Sequence, residues 1–132
     1  MKTIRIIATL VVLLLSGCVS VNASRLEPGA ARTPLKPDQV TIYRNAAQVK
    51  VSYIEVALLN ATGDYAMTNE GQMFDEMRKK AASLGANGVI LDSLSEPTTG
   101  AKVAQAFLGT QAARKGKAIA IYIDPLLLFQ KP

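Results

Sequence analysis

The sequence contains no histidine and no tryptophan, and it has one cysteine, Cys18, among 132 residues. Histidine is the usual general base and transition-metal ligand near neutral pH. Without histidine, the cysteine can form neither a Cys/His nucleophile pair nor a Cys/His zinc site, and a single thiol cannot form an intramolecular disulfide. The composition therefore argues against catalysis and against transition-metal binding.

Phosphate-binding loops and spaced pairs of carboxylates are also missing from the sequence. Gly85 and Gly88 frame a turn that follows a predicted helix instead of opening one, so the turn is a helix stop and not a phosphate loop. The aspartates Asp64, Asp75 and Asp92 are isolated along the chain. We predict that the protein is not an enzyme, and that it has no catalytic residue, no cofactor and no metal site.

The first seventeen residues, MKTIRIIATLVVLLLSG, have the layout of a secretory signal. Lys2 and Arg5 give a positive start, residues 6–15 form an uncharged apolar block, and two small residues follow. This block of about ten residues is well short of the ~20 that a transmembrane helix requires. The pattern predicts a signal peptide over residues 1–17.

A second motif overlaps the end of this segment, where Leu15, Ser16, Gly17 and Cys18 together resemble the lipobox of bacterial lipoprotein precursors. In that family the cysteine sulfur receives a diacylglyceryl group, the signal is cut just before the cysteine, and the new amine is often acylated with palmitate. A thiol suits this chemistry because its thiolate is readily alkylated. The resemblance implies that Cys18 is the lipid-attachment residue; the alternative is a plain secretory signal cut after Ala23.

Two or three acyl chains, at ~0.8 kcal/mol per buried methylene, would hold the protein on a membrane without a spanning segment. Val19 follows the cysteine, whereas an Asp there resembles the inner-membrane retention signal of enteric lipoproteins. We therefore expect attachment to the bacterial outer membrane, facing the periplasm. Loss of residues 1–17 leaves 13 basic and 10 acidic residues, and this charge of +3 indicates mild attraction to anionic envelope components. No nucleic-acid partner is expected.

The segment after the cysteine is rich in proline and reads as a linker. Residues 18–38 include Pro28, Pro34 and Pro37, and we assign them no helical or alternating apolar pattern. A flexible chain of about twenty residues spans ~25 Å root-mean-square. We predict that residues 18–38 are a lipidated N-terminus followed by a flexible tether.

A globular domain is predicted over residues 39–124, with strands and one main helix in β-β-α-β-β order. Alternation of apolar side chains predicts four strands, at residues 39–43, 53–59, 89–94 and 117–124. Ile54, Val56 and Leu58 define one side of the second strand. In the last strand, isoleucines occupy one side and small residues the other, which leaves room for an element to pack closely. The fold class is α+β, with a small mixed sheet of about four strands.

The main helix is predicted over residues 70–84. Asn69 and Gln72 form a capping box at its start, and Gly85 suits the left-handed residue that closes a helix. Met73 and Met77 lie on its apolar face, where we interpret them as core side chains under a sheet.

Residues 96–116 fit three descriptions, namely a second short helix that covers the free sheet face, an ordered excursion, or a mobile loop. We favour the covering helix, because a sheet with a helix on one face only would leave apolar surface exposed. The C-terminal tail, residues 125–132, is apolar enough to pack back on the domain or on a neighbour.

With these elements placed, MRKKAASLGANGVILDSL followed by KAIAIYI resembles a known group. The group is the small periplasmic lipoprotein domain shared by the Rcs envelope-stress sensor lipoprotein and YbjQ-like proteins, and the strand VTIY after a proline-rich segment is similar too. The resemblance covers roughly residues 39–123. It implies a compact α/β domain on a lipid anchor, without catalytic residues. One departure is that the Rcs sensor has disulfide cysteines in its domain, whereas this chain has no cysteine after Cys18. YbjQ-like proteins form rings, so the resemblance also allows self-association of this chain.

Two functions are compatible with these observations. The first is a non-enzymatic interaction or sensing module in the envelope, whose partner is another envelope protein or a second copy of the chain. The second is a binding module for an anionic envelope component such as lipopolysaccharide or peptidoglycan. Its candidate surface consists of Lys102, Arg114, Lys115 and Lys117.

Overall fold

The computed structural model describes residues 18–109 and 112–129. The predicted signal peptide, with Leu15, Ser16 and Gly17, lies outside the described residues. The strands are β1 (Val19–Arg25), β2 (Thr41–Tyr43), β3 (Ile54–Asp64), β4 (Gly88–Ser95) and β5 (Ala113–Tyr122). The helices are α1 (Glu70–Ser83), α2 (Thr99–Leu108) and the short α3 (Pro125–Leu128).

All five strands form one sheet in the order β1-β3-β5-β4-β2. β2 and β4 are parallel, and the other neighbouring pairs are antiparallel. The predicted α+β class is confirmed, with five strands in place of about four. Two strands joined by a helix often form a hydrogen-bonded parallel pair. Here β3 and β4 run in the same direction, but β5 lies between them and pairs with both.

The main helix α1 begins at the predicted residue, Glu70, and ends at Ser83, one residue before the predicted end. The Asn69 side chain accepts a hydrogen bond from the Gln72 amide, and the Gln72 side chain accepts one from the Asn69 amide, both at 2.9 Å. Gly85 follows the helix with φ of +75°. Both ends therefore carry the local signals that start and stop a helix.

Small residues of β5 allow α1 to lie close to the sheet. Gly116, Ala118 and Ala120 are buried on the face that α1 covers. A Cβ atom on Gly116 would lie 2.7 Å from Cε of Met77. The predicted apolar face of the helix is fully buried there, as Met73 and Met77 are at most 1% exposed.

The predicted tether begins as a strand. β1 pairs with β3 along its whole length, from Val19 opposite Gly63 to Arg25 opposite Ala57. Its apolar side chains pack against the core, namely Val19, Val21 and Ala23. The prediction of a flexible linker over residues 18–38 is therefore wrong, because this alternation of apolar and polar residues suits an edge strand on β3. The folded domain extends N-terminally beyond the predicted boundary at residue 39.

The proline-containing segment after β1 also packs on the domain. Arg32 forms an ion pair with Glu27 at 2.6 Å, and its guanidinium lies 4.0 Å from the centre of the Tyr122 ring. The Leu35 amide donates to the Ala82 carbonyl at 2.8 Å. These contacts hold the segment against α1 and the end of β5.

Strand β3 is longer than predicted and changes phase. A register irregularity between Glu55 and Ala57 turns Ala57, Leu59 and Ala61 toward the core and leaves Leu58 exposed. Ile54, Val56 and Leu58, which the sequence places on one side of the strand, therefore do not share one environment: Val56 is buried, whereas Ile54 and Leu58 are exposed. One bulge residue exchanges the two faces of a strand. The stretch NATGDYAM, residues 60–67, suggests a loop, but its first five residues continue the strand to Asp64.

Half of the sheet face opposite α1 is covered by the segment between β2 and β3. Ile90, Ile121 and Ile123 are buried there and form a second, smaller core. Tyr43, Val49, Val51 and Tyr53 pack against it. The other half of this face carries exposed side chains of β1, β3, β4 and β5.

Candidate functional site

The single cysteine lies at one end of the sheet. Cys18 is exposed and directly precedes β1, whose first residue, Val19, is opposite Gly63 of β3. Gly63 is in turn opposite Arg114 of β5. We call this edge, where β1 and β5 begin and β3 ends, the Cys18 end of the sheet.

A cluster of charged residues surrounds a tyrosine at this end. The Lys102 ammonium lies 2.6 Å from a Glu96 carboxylate oxygen and 4.4 Å from the centre of the Tyr65 ring. The Arg114 guanidinium lies 5.2 Å from the same ring centre, and Nη1 is 3.6 Å from Glu96 and 4.0 Å from Glu70. Two cations and two carboxylates therefore partner each other around Tyr65.

The ion pair changes the pKa of both of its groups. The hydrogen bond from Lys102 lowers the pKa of the Glu96 carboxyl below its usual value. The hydrogen bond to Glu96, and next the contact with Tyr65, raise the pKa of Lys102 above its usual value. Both shifts favour the charged forms, so the pair stays ionised over the neutral range.

The four cations predicted as one anion-binding surface are divided between two places. Arg114 is only 9% exposed, and it faces the α1 side of the sheet with Lys102 and their shared carboxylate partner. Lys115 and Lys117 are exposed on the opposite side of the sheet. Alternation along a strand separates Arg114 from its two neighbours in this way. The sequence pattern gave no sign of the carboxylates that partner Lys102 and Arg114.

Lys115 and Lys117 belong to what we call the open sheet face, the exposed half of the sheet opposite α1. The other exposed side chains there are Ser20, Asn22 and Ser24 of β1, Leu58, Asn60 and Thr62 of β3, and Ser93 and Ser95 of β4. A shallow cavity of about 320 Å³ on this face is lined by Leu58, Asn60, Asp92, Lys117 and Ile119 among others. The surface is polar, with a few apolar side chains and two lysines.

The predicted second helix exists as α2, but it does not cover the open sheet face. The Gln105 side chain lies 3.3 Å from both carboxylate oxygens of Asp64, and Lys102 reaches Tyr65 and Glu96. α2 is therefore attached beside the Cys18 end of the sheet, and its large apolar side chains, Val103, Phe107 and Leu108, face solvent. Polar residues make an uncovered sheet face tolerable, which removes the reason for a covering helix.

At the opposite end of the sheet, a cavity of about 400 Å³ lies between the β2–β3 segment and α3. Tyr43, Val49, Ile123 and Leu127 are among its lining residues. The C-terminal tail thus packs one side chain toward the domain, while Leu126, Leu128 and Phe129 stay exposed.

Within residues 18–109 and 112–129, no group of three or more His, Cys, Asp or Glu residues is arranged to hold a metal ion. Among the same residues, no helix has the length and apolarity needed to cross a membrane.

The fold defines a small α+β domain in which one main helix packs on a five-stranded mixed sheet. The crystal structure of the Francisella virulence factor FvfA is similar, with a TM-score of 0.56 and 15% sequence identity over 81% of this chain and all of that chain. At this identity the likeness concerns the fold alone. No family model matches the chain, and a comparison with curated proteins found no match.

Proposed function

We propose that the chain is the precursor of a lipid-anchored envelope lipoprotein whose domain faces the periplasm from the outer membrane. In this proposal residues 1–17 are the signal peptide and Cys18 becomes the lipidated first residue. The domain then acts as a non-enzymatic interaction or sensing module. The stretch LLLSGCVS carries the proposal, because the apolar block, the small residues and the cysteine follow the lipobox order.

The position of β1 supports a cut before Cys18 over a cut after Ala23. The second cut would remove Val19 to Ala23, which supply most of the pairing between β1 and β3. It would also remove apolar side chains that pack against the core, Val19 and Val21 among them. A cut before Cys18 keeps the whole strand.

The same strand determines how far the domain stands from a membrane. A flexible tether of about twenty residues would allow a separation of ~25 Å. β1 begins at the residue after Cys18, so almost no free chain remains between the lipid and the fold. A protein partner therefore meets this domain next to the bilayer surface.

The open sheet face is the surface that we assign to a protein partner, either another envelope protein or a second copy. A photo-crosslinking amino acid at Asn60, on this face, should give an adduct in living cells. The matched position is Ser83, exposed at the end of α1. Absence of adducts from both positions, together with a measurable enzymatic activity of the purified protein, would contradict an interaction module.

The anchor itself is tested by the intact mass of protein extracted from membranes. We expect a chain that begins at Cys18 and carries a diacylglyceryl thioether, with or without an N-acyl group. A Cys18→Ser variant should keep the mass of the precursor and fail to incorporate a clickable palmitate analogue. A mature chain that begins at Val19 or later, or an unmodified thiol at Cys18, would overturn the assignment, and separation of inner and outer membranes tests the location.

The alternative function, binding of an anionic envelope component, rests on Lys115 and Lys117, because these two cations remain exposed on the open sheet face. A Lys115→Gln/Lys117→Gln variant should lose binding to lipopolysaccharide or peptidoglycan at low salt, where exposed charges act most strongly. The control is Arg44→Gln/Lys50→Gln, which removes two exposed cations elsewhere. Equal binding by the parent and both variants would remove this alternative.

A further inference from the structure

The helix α2 presents several large apolar side chains to solvent. Phe107 is 83% exposed and Leu108 is 76% exposed, and Val103 is also exposed. α2 buries none of its ten residues. Met67, in the turn after β3, adds a further exposed apolar side chain. We call Met67, Val103, Phe107 and Leu108 the α2 patch.

The α2 patch lies beside the residue that carries the proposed lipid. Gln105 of α2 contacts the carboxylate of Asp64, the last residue of β3. The preceding residue, Gly63, is opposite Val19, which follows Cys18 directly. Neighbouring strands are about 5 Å apart, so α2 and Cys18 occupy the same end of the sheet.

A second exposed apolar group, around Phe129, lies at the far end. β5 begins at Ala113, opposite Asp64, and ends at Tyr122, opposite Ile54. Ten strand residues at ~3.3 Å each separate the two ends by ~30 Å. Phe107 therefore belongs to the end of the sheet that holds Cys18, and Phe129 lies ~30 Å from that end.

We propose that the α2 patch inserts into the leaflet that holds the lipidated Cys18, so that the domain contacts the bilayer at two places. This inference rests on the proposed lipid anchor. Acyl chains alone attach a protein without orienting it, whereas a short amphipathic helix at the interface lies in the membrane plane with its apolar side ~5–10 Å deep. The exposed Lys115 near the same end suits anionic headgroups. The strands then extend away from the bilayer surface, and the open sheet face is roughly perpendicular to that surface.

The sequence contains no tryptophan, so one introduced tryptophan reports on one position without background. Phe107→Trp places the reporter in the α2 patch, and Phe129→Trp is the matched control because the two phenylalanines are 83% and 84% exposed. Each full chain is expressed, and its lipidated product is extracted and reconstituted into vesicles of phosphatidylethanolamine and phosphatidylglycerol with or without brominated acyl chains. Mass spectrometry establishes the state of Cys18, and circular dichroism establishes the fold.

We expect brominated lipid to quench roughly half of the F107W emission, given the depth of interfacial helices, and to leave F129W unchanged. The F107W emission should also shift to shorter wavelength on reconstitution. Equal quenching of both variants, or of neither, in protein with a lipidated Cys18 would overturn the proposal. A blue shift of F107W without quenching would also overturn it, because it would show that the α2 patch is covered by protein.

The experiment distinguishes failure of the proposed lipid anchor from failure of the proposed contact between the α2 patch and the bilayer. If the mass shows an unmodified thiol, the lipoprotein assignment fails first. The same two variants are then coupled through Cys18 to vesicles that contain a maleimide lipid. Selective quenching of F107W in these vesicles would support the contact surface, and equal quenching of the two variants would exclude it.

Discussion

A Cβ atom on Gly85 would lie 2.7 Å from the carbonyl oxygen of Thr33, so the end of α1 and the segment after β1 are in direct contact. The sequence identifies Gly85 as the residue that closes a helix, and its φ of +75° agrees with this role. The contact gives the glycine a second role, because only a residue without a side chain leaves room for the backbone of Thr33. The segment between β1 and β2 is thus built into the fold.

Gly85→Ala should lower the free energy of unfolding by about 2–4 kcal/mol, from the left-handed backbone together with the clash. Gly109→Ala is the matched control, since Gly109 has φ of +67° and no atom within 4 Å of a Cβ. It should cost only about 1 kcal/mol. Chemical denaturation of both variants measures the difference, and equal costs would show that the segment around Thr33 does not pack on the helix end.

Val21→Asp should destabilise the domain by about 2–3 kcal/mol, because it places a carboxylate on the core side of β1. Asn22→Asp introduces the same charge one residue along, on the exposed side of the strand. It should change the free energy of unfolding by less than about 0.5 kcal/mol. If neither substitution affects denaturant unfolding, β1 does not belong to the stable sheet.

The signals for α1 are local, which explains why they could be read from the sequence. The capping box at Asn69 and Gln72 and the glycine at the other end act within a few residues. The strand β1 has an equally local signal, since Val19, Val21 and Ala23 alternate with polar residues. The three prolines that follow are typical of a linker, and they obscure this short alternation in the sequence.

Asn87→Ala should lower the free energy of unfolding by about 2–4 kcal/mol. The side-chain Nδ2 of Asn87 donates to the Ile123 backbone carbonyl at 2.7 Å, and the side-chain Oδ1 of Asn87 accepts from the Ile123 backbone amide at 2.8 Å. Ile123 is buried, so both backbone groups would lose their partner away from water. Asn60→Ala on the open sheet face should cost less than about 0.5 kcal/mol, and thermal or denaturant unfolding of the two variants compares them.

The contribution of Glu96 to stability should depend on pH with a defined sign. Its folded-state pKa is lowered, mainly by the hydrogen bond from Lys102, so its contribution is complete above the ordinary pKa of about 4.3 and is lost as the pH falls through the lowered value. The pKa of Lys102 is raised, so its contribution is complete below about 10.4 and is lost as the pH rises further.

We therefore expect Glu96→Gln to be less stable than the parent by a constant amount between about pH 5 and pH 9, with a difference that shrinks below about pH 4. Because the pair is exposed, added salt should reduce the difference. Glu55→Gln, at an exposed position on β3, serves as the control. A difference that grows toward acid would contradict the direction of the shift.

Other features could not be read from the sequence because they depend on long-range contacts. The bulge between Glu55 and Ala57 exchanges the inward and outward residues of β3, and nothing in the composition of that strand marks it. Insertion of β5 between β3 and β4 is a property of the whole sheet. Arg114 reads as a surface cation beside Lys115 because the predicted strand begins only at residue 117. The observed strand begins at Ala113 and places Arg114 on the α1 side of the sheet, where Glu70 and Glu96 partner it.

The direct junction of Cys18 and β1 also has a mechanical consequence. A pulling force applied at the cysteine enters the domain through an edge strand that is held on one side by seven residue pairs to β3. A pull along the strand loads its hydrogen bonds together, whereas a pull away from the sheet edge opens them one after another, beginning at Val19 and Gly63. The first strand to detach under such a force is the one that carries the core side chains Val19 and Val21, so loss of the edge strand would also open the core beneath it.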